Sequence, residues 1–396
     1  MRPIVKCMAV FSEIYDEDKD KVFVIRGTIE VRIPRHFYNQ LKRKYTDEEI
    51  VSMQEPKILR HHHTKRELVY VTRESGLPLM GHTAFGLIDR GTNLIQVRPV
   101  SGCNLNCIFC SVDEGVSKSR QADYIVDTDY LVEEFAKLAA LKGNDVEAHI
   151  DGQGEPFIYP YMTELLEKLR KIPQVKVISA QTNGMLLDTE KIKEWEGLLD
   201  RINLSLSSLD DRRGRMMAGT NLYDVEHVKS IAKAIAASKI DLLLAPVWVP
   251  GFNDEDIPKL IEFGLEIGAG KRWPGFGIQN YVRYQFGKKV KGKPMKFSEF
   301  FKRLEEYEKQ YGLRLKLTPA DFGIHKAPWL PKAFKKGERL KLELVAPGRV
   351  FGEMLAVCKG YVVGVLTGRP IGATVFAEIT RTTDNVYVAV TSETKP

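Results

Sequence analysis

The chain has 396 residues, with 59 Lys plus Arg against 52 Asp plus Glu, a formal net charge of +7, 43% hydrophobic and 28% charged residues. These are globular values with room for two or three domains, and they exclude a disordered chain. No run approaches the ~18 apolar residues of a membrane span. Nor does Met1-Arg2-Pro3-Ile4-Val5-Lys6 open an apolar core like that of a signal peptide, so a cytoplasmic setting is expected.

Residues 1–92 read as a β-rich N-terminal module. Val5–Tyr15 and Val22–Ile33 alternate like strands, and a short helix is expected from Pro34, because proline suits a first helical turn. A second helix is expected after Thr46, with Glu49 placed to close a capping box. Leu68–Thr72 and Thr83–Asp89 add strands. Consecutive residues on a strand point to opposite sides. The triplet His61-His62-His63 is therefore expected to be a solvated polar turn rather than a metal site.

From Leu94 onwards strands alternate with helical periods, the pattern of βα units on a parallel sheet. The expected strands are Leu94–Val100, Glu147–Gly152, Val175–Gln181, Arg201–Ser207, Ile240–Val249 and Gly275–Tyr284. The expected helices are Tyr130–Leu141, Tyr161–Lys171, Thr189–Leu199, Val225–Ser238, Asp256–Ile267 and Phe297–Tyr311. Just past the first strand, Cys103, Cys107 and Cys110 fall within eight residues, and Gly102 lets the chain turn into that loop. Structural zinc takes four ligands, and the nearest histidines, His82 and His149, sit in separate elements. An odd triplet cannot pair into disulfides. Three thiolates wrapped around one iron–sulfur cluster, with one iron left open, is the reading that fits.

The octet Cys103-Asn104-Leu105-Asn106-Cys107-Ile108-Phe109-Cys110 resembles the hallmark of the radical S-adenosylmethionine (SAM) superfamily, and the resemblance runs from about Leu94 to Ile324. It implies a partial (β/α)6 barrel over residues 93–327, with a 4Fe-4S cluster on Cys103, Cys107 and Cys110. It also implies reductive cleavage of SAM, bound at the open iron, to a 5′-deoxyadenosyl radical. The electron would come from a donor of ferredoxin or flavodoxin type. Active sites of such barrels lie at the carboxyl ends of the strands, and further likenesses recur there. Asp151-Gly152-Gln153-Gly154-Glu155-Pro156 resembles the family's Gly-Gly-Glu segment, with Gln153 in place of one glycine. Gln181-Thr182-Asn183-Gly184 resembles its Thr-Asn-Gly turn. Asn203-Leu204-Ser205-Leu206-Ser207 resembles the segment that binds the SAM carboxylate and ribose, although Ser207 stands where many relatives carry Asp. Val249-Pro250-Gly251-Phe252-Asn253-Asp254 resembles the turn beneath the adenine. The resemblance thus implies SAM contacts at Phe109, Gly154, Glu155, Asn183, Ser205, Ser207, Val249 and Gln279.

Downstream, Arg283–Lys296 holds six basic residues and no acidic one, at the expected exit of the sixth strand. Cations interleaved with rings such as Tyr284 suit a phosphate backbone and an unstacked base, so Arg283, Lys288, Lys289 and Lys291 are expected to bind RNA. Tyr281 and Tyr284 are candidates for quenching a substrate radical. After Pro328-Trp329-Leu330-Pro331, residues 332–396 read as a small all-β barrel of five short strands. That segment resembles a TRAM domain, which implies RNA binding, and its ten Lys plus Arg against six Asp plus Glu agree. The expected function is RNA modification by a radical SAM enzyme. The alternatives are a protein or small-metabolite substrate with the barrel as a lid, or an iron–sulfur RNA-binding protein without catalysis. Cys7 and Cys358 are expected to be small buried residues, too few to hold a second cluster.

Overall fold

The computed structural model describes residues 10–53 and 59–394; Cys7 and the start of the expected Val5–Tyr15 strand lie outside them. The chain opens with three antiparallel strands, β1 (Phe11–Glu17), β2 (Asp20–Ile25) and β3 (Ile29–Pro34). The expected single strand Val22–Ile33 is two, because Arg26 and Gly27 both take left-handed φ and reverse the chain. Two short helices follow, α1 (Arg35–Leu41) and α2 (Asp47–Ser52). The second opens on the expected capping box between Thr46 and Glu49. Strands β4 (Leu59–His61) and β5 (Glu67–Val71) complete this part of the sheet.

The next two strands cross the 92/93 boundary that composition suggests. Strand β6 (Gly86–Asp89) pairs antiparallel with β7 (Leu94–Arg98), the first strand of the βα series. Strand β8 (Ala122–Val126), beyond the cysteine loop, turns back and pairs parallel with β5. One hydrophobic core accordingly runs from Phe23 and Ile25 through Ile95 and Leu204 to Leu315.

The βα series continues as α3 (Thr128–Lys142), β9 (Val146–Ile150), α4 (Met162–Arg170), β10 (Val175–Thr182), α5 (Thr189–Glu194), β11 (Arg201–Leu204), α6 (Asp211–Ala218), α7 (Val225–Ala237) and β12 (Asp241–Leu244). Strands β7, β9, β10, β11 and β12 form a continuous parallel sheet, buried on both faces as such sheets are. The expected fifth strand is interrupted at Pro246, which has no N–H to give, and resumes as β13 (Val247–Trp248). After α8 (Asp256–Ile267), the expected sixth strand shrinks to β14 (Gln279–Asn280), paired with β13, plus one bridge from Leu244 to Phe276. The result is a mixed α/β fold with five full parallel strands and a fragmentary sixth, short of six regular repeats. Helix α9 (Phe297–Tyr311) closes it.

The C-terminal segment forms a closed barrel in the order β15 (Arg339–Pro347), β16 (Glu353–Cys358), β17 (Tyr361–Leu366), β19 (Tyr387–Thr391), β18 (Thr374–Arg381). It has its own core around Leu344, Val363, Ile379 and Tyr387. Arg349, between its first two strands, leaves the barrel and is buried against the cysteine loop.

Candidate active site

Strands β7, β9, β10 and β11 each end at one cavity of about 290 Å3, lined by Cys103, Cys107, Cys110, Glu155, Asn183 and Ser205 among others. The cysteine loop owes its path to backbone bonds. Gly102 donates to the Gln153 carbonyl at 3.0 Å, and Glu155 N–H returns to the Gly102 carbonyl at 2.8 Å. Gly154 sits at φ +141°, where a Cβ would fall inside that same carbonyl, so only glycine allows this ladder. On the far side, Asn106 and Ile108 donate to the carbonyls of Ala218 and Met217, both at 2.9 Å. Those carbonyls lie at the C-terminal end of α6, a helix that periodicity missed because Asp211-Arg212-Arg213-Gly214-Arg215 carries no apolar face.

Each thiol is perturbed. Burial pushes Cys103 well above its ordinary range, and the neighbouring charges of Cys107 and Glu155 add to it. Burial pushes Cys107 up to about 12 and raises Cys110 as well. Against that, Leu105 N–H points at Cys103 Sγ at 3.4 Å and Glu114 N–H at Cys110 Sγ at 3.3 Å. The Lys288 charge favours the thiolates of Cys107 and Cys110. Lys288 belongs to this loop. Its backbone N–H donates to the Cys110 carbonyl at 2.8 Å, and its ammonium bonds the Glu114 carbonyl at 2.8 Å and Asn106 Oδ1. The expectation that Lys288 binds RNA phosphate is corrected accordingly: its cation is spent inward. Arg283 likewise donates to the carbonyls of Val290 at 3.1 Å and Gly292, folding the basic loop on itself, whereas Lys289 and Lys291 are exposed.

Glu155 is buried, and its carboxylate ties the loop after β9 to the end of β10. It accepts from Phe157 N–H at 3.0 Å, the Thr182 hydroxyl at 2.8 Å and Asn183 N–H at 2.7 Å. Burial pushes it up to about 7, with those donors pulling the other way. Asn183 also bonds Asn104 Oδ1 at 2.8 Å, so the Thr-Asn-Gly turn touches the cysteine loop directly.

A radical SAM superfamily domain matches residues 97–264. An uncharacterized protein of Methanocaldococcus jannaschii is 42% identical over 352 residues, covering 82% of this chain and 81% of that one. Residues 97–264 belong to the radical SAM superfamily. Members of the superfamily use a 4Fe-4S cluster and S-adenosylmethionine. The GTP 3′,8-cyclase of Chlorobaculum tepidum is 29% identical over 197 residues, 50% of this chain and 56% of that enzyme, so the chain spans about half the length of such relatives. Among solved structures, anSMEcpe with bound AdoMet aligns with a TM-score of 0.44 and 18% identity over 68% of this chain and 74% of that one.

The residues present fit a radical SAM cluster. Among the described residues, no three His, Cys, Asp or Glu close on a single metal ion. The three cysteines instead line a cavity, which suits a body of several irons better than one tetrahedral zinc. Thiols raised in this way ionise more readily beside cations, which the irons supply when bound.

Of the SAM-contacting residues expected from sequence, Phe109, Gly154, Glu155, Asn183, Ser205, Ser207 and Gln279 all line the cavity. Val249 is the exception: it is buried against Met217, Tyr281 and Val290, and its N–H bonds Asn253 Oδ1 at 2.8 Å. Ser207 lines the cavity but accepts from Val247 N–H at 3.1 Å, which starts β13. The Tyr281 hydroxyl is engaged by Val290 N–H at 3.0 Å, while Tyr284 lines the cavity mouth and is 53% exposed. The histidine triplet is a further correction. His61 is fully buried, because strand pairing with Ile29 turns it inward against Gly102; His63 remains exposed. Sequence reasoning placed Asn104 and Thr182 inside motifs but gave neither a partner, and it missed Lys288 as a partner of the cysteine loop, which no local signal marks.

Proposed function

We propose that this radical SAM enzyme acts on RNA, with the 4Fe-4S cluster on Cys103, Cys107 and Cys110 and SAM beside Glu155, Asn183 and Ser205. When bound, cluster and cofactor supply a 5′-deoxyadenosyl radical that abstracts hydrogen from the substrate. The chain's residues do the rest. Glu155, held by three donors, presents the free side of a buried carboxylate to the SAM ammonium. The Gly102–Gly154 ladder fixes the cysteine loop against that carboxylate. Lys288 and the N–H groups of Leu105 and Glu114 hold negative charge on the sulfurs. Phe109 and Ser207 wall the cavity.

The observation that carries the RNA reading is the loop that leaves the cavity at Tyr284. Tyr284 lines the cavity at 53% exposure, and Phe286 at 65%, Lys289 and Lys291 are exposed further along the same loop, a mix of rings for a base and ammonium groups for the backbone. A TRAM-like role for the closed terminal barrel and a cytoplasmic setting, with electrons from a ferredoxin- or flavodoxin-type donor, belong to the same proposal. A free nucleotide is the second reading, favoured by the GTP 3′,8-cyclase relatives, whose name states a nucleotide substrate.

Anaerobically reconstituted protein tests both halves. About four irons per chain are expected, lost in Cys107→Ala; retained iron in that variant overturns the ligand set. RNA affinity should fall steeply with salt, and Lys289→Ala with Lys291→Ala should lower the salt slope by about two units without changing iron content. RNA binding that is absent or indifferent to salt refutes the RNA reading.

A further inference from the structure

The outer face of the terminal barrel carries a ring that the barrel core does not use. Strand β15 pairs antiparallel with β18, and alternate residues turn inward: Leu342 and Leu344 from one, Val375 and Ala377 from the other. The intervening Lys341, Glu343 and Thr374 are exposed, and Phe376 is 74% exposed. A lone exposed ring means little. This one has Lys341 as its register partner, with the pairs Arg339–Glu378 and Glu343–Thr374 on the same face to either side. Side chains paired across strands stand about 5 Å apart at Cβ, so ring and ammonium can meet one ligand together. Beyond Arg339 the turn Lys335-Lys336-Gly337 is pinned to β18, because Gly337 N–H donates to the Ile379 carbonyl at 2.8 Å, and both lysines are exposed.

The charge of this face is positive. Glu378 is answered by Arg339 at 3.8 Å and Glu338 by Lys359 at 2.8 Å, which leaves Lys335, Lys336 and Lys341 against one further acid, Glu343. A second copy docked on the same face would set these cations against one another. The apolar groups, Phe376 and, toward Pro347, Val345 and Ile371, are separated by Glu343 and Thr374 rather than joined into the patch a protein partner needs. An exposed ring flanked by ammonium groups matches an unpaired base and its neighbouring phosphates. We propose that the β15–β18 face binds single-stranded RNA, with Phe376 stacking on a base and Lys341 meeting the backbone. This rests on the RNA reading above and adds a second contact to it, away from the cavity. The strand itself links the two: Lys341 to Pro347 spans about 20 Å, and just past it Arg349 is buried against the cysteine loop.

Fluorescence anisotropy of the full-length protein with a labelled oligouridylate tests this without any turnover. Phe376→Ala should weaken binding by about 5- to 150-fold, the effect of truncating a ring that stacks one base, and leave the salt slope unchanged. Phe376→Trp should bind at least as well as the wild type, which a folding defect would not allow; equal loss in both variants rules out stacking and overturns the proposal. Lys341→Gln should lower the salt slope by about 0.7. Annealing the strand to oligoadenylate should weaken binding, because paired bases are already stacked. Wild-type affinity in Phe376→Ala overturns the proposal; if Lys289→Ala with Lys291→Ala still weakens binding, the RNA reading survives that result. A wild-type protein that binds no RNA overturns both. Sedimentation in which Phe376→Ala dissolves a dimer, with RNA affinity unchanged, assigns the face to a second copy and overturns the proposal as well.

Discussion

Arg349 offers the sharpest test of how the terminal barrel serves the site. It is fully buried, 235 positions from Glu114 in sequence, and its guanidinium forks onto Glu114, Asp123 and the Ala122 carbonyl, with the Gln153 carbonyl at 3.5 Å. Asp123, which also accepts from Thr64 and Ser101, is held well below the usual carboxylate range; burial raises Glu114, whose Oε2 lacks a hydrogen bond. Removing one partner from a buried ion pair costs about 3–5 kcal/mol. Arg66, 3.6 Å from Asp123, and Arg120, 3.9 Å from Glu114, remain to compensate, which sets the expectation for Arg349→Met near the lower end, ~3 kcal/mol. The loss falls on the cysteine loop, because Glu114 supplies the N–H at Cys110 Sγ and the carbonyl that holds Lys288. Such a drop in local stability raises the opened population by roughly 100-fold. The assay is iron release to an external chelator from reconstituted protein, which should accelerate by up to that factor, with Arg349→Lys intermediate. Release at the wild-type rate from Arg349→Met would show that the barrel is a bystander to the cluster.

Lys288→Ala should lower iron retention, since it deletes the ammonium at Asn106 and Glu114, yet leave the salt slope of RNA binding unchanged; the opposite pattern would return Lys288 to the RNA surface. Glu155 gives a pH signature. Its folded pKa near 7 lies above the ordinary 4.5, so the folded protein holds a proton that the unfolded chain releases, and stability from this group falls as pH rises through 4.5 to 7, by about 3 kcal/mol in all. Glu155→Gln should flatten that decline in urea titrations, and an ammonium docking there should expel about one proton near pH 6, read as buffer-dependent heat of SAM binding; equal heats in two buffers would place SAM elsewhere.

What was legible in the sequence is what is local. Three cysteines within eight residues, and glycine- or asparagine-bearing turns after successive strands, are short signals. A parallel sheet gathers strand ends on one side, so correct strand order sufficed to bring Cys103, Glu155, Asn183 and Ser205 to one cavity. The interruption at Pro246 was also local and was passed over, because the apolar run Leu242 to Val249 outweighs one proline in a periodicity reading. The basic loop misled for a different reason. Six cations in 14 residues look alike in sequence, but the fold spends Lys288 on a loop 174 positions away and Arg283 on its own carbonyls, leaving others to solvent.

Burial of His61 and Arg349 shows the same limit from the other side. Each carries a polar group into the core only because a distant partner makes room or charge for it: Gly102, which has no Cβ, for His61, and two carboxylates on the cysteine side for Arg349. Both converge on the backbone that holds Cys103 and Cys110. The N-terminal sheet reaches that backbone through His61 and through β8, the terminal barrel through Arg349. Neither unit can swing away without exposing a buried charge or an unfilled space behind the sulfurs, which costs several kcal/mol. The three parts therefore meet at the backbone of the cysteine loop, each holding it through buried contacts.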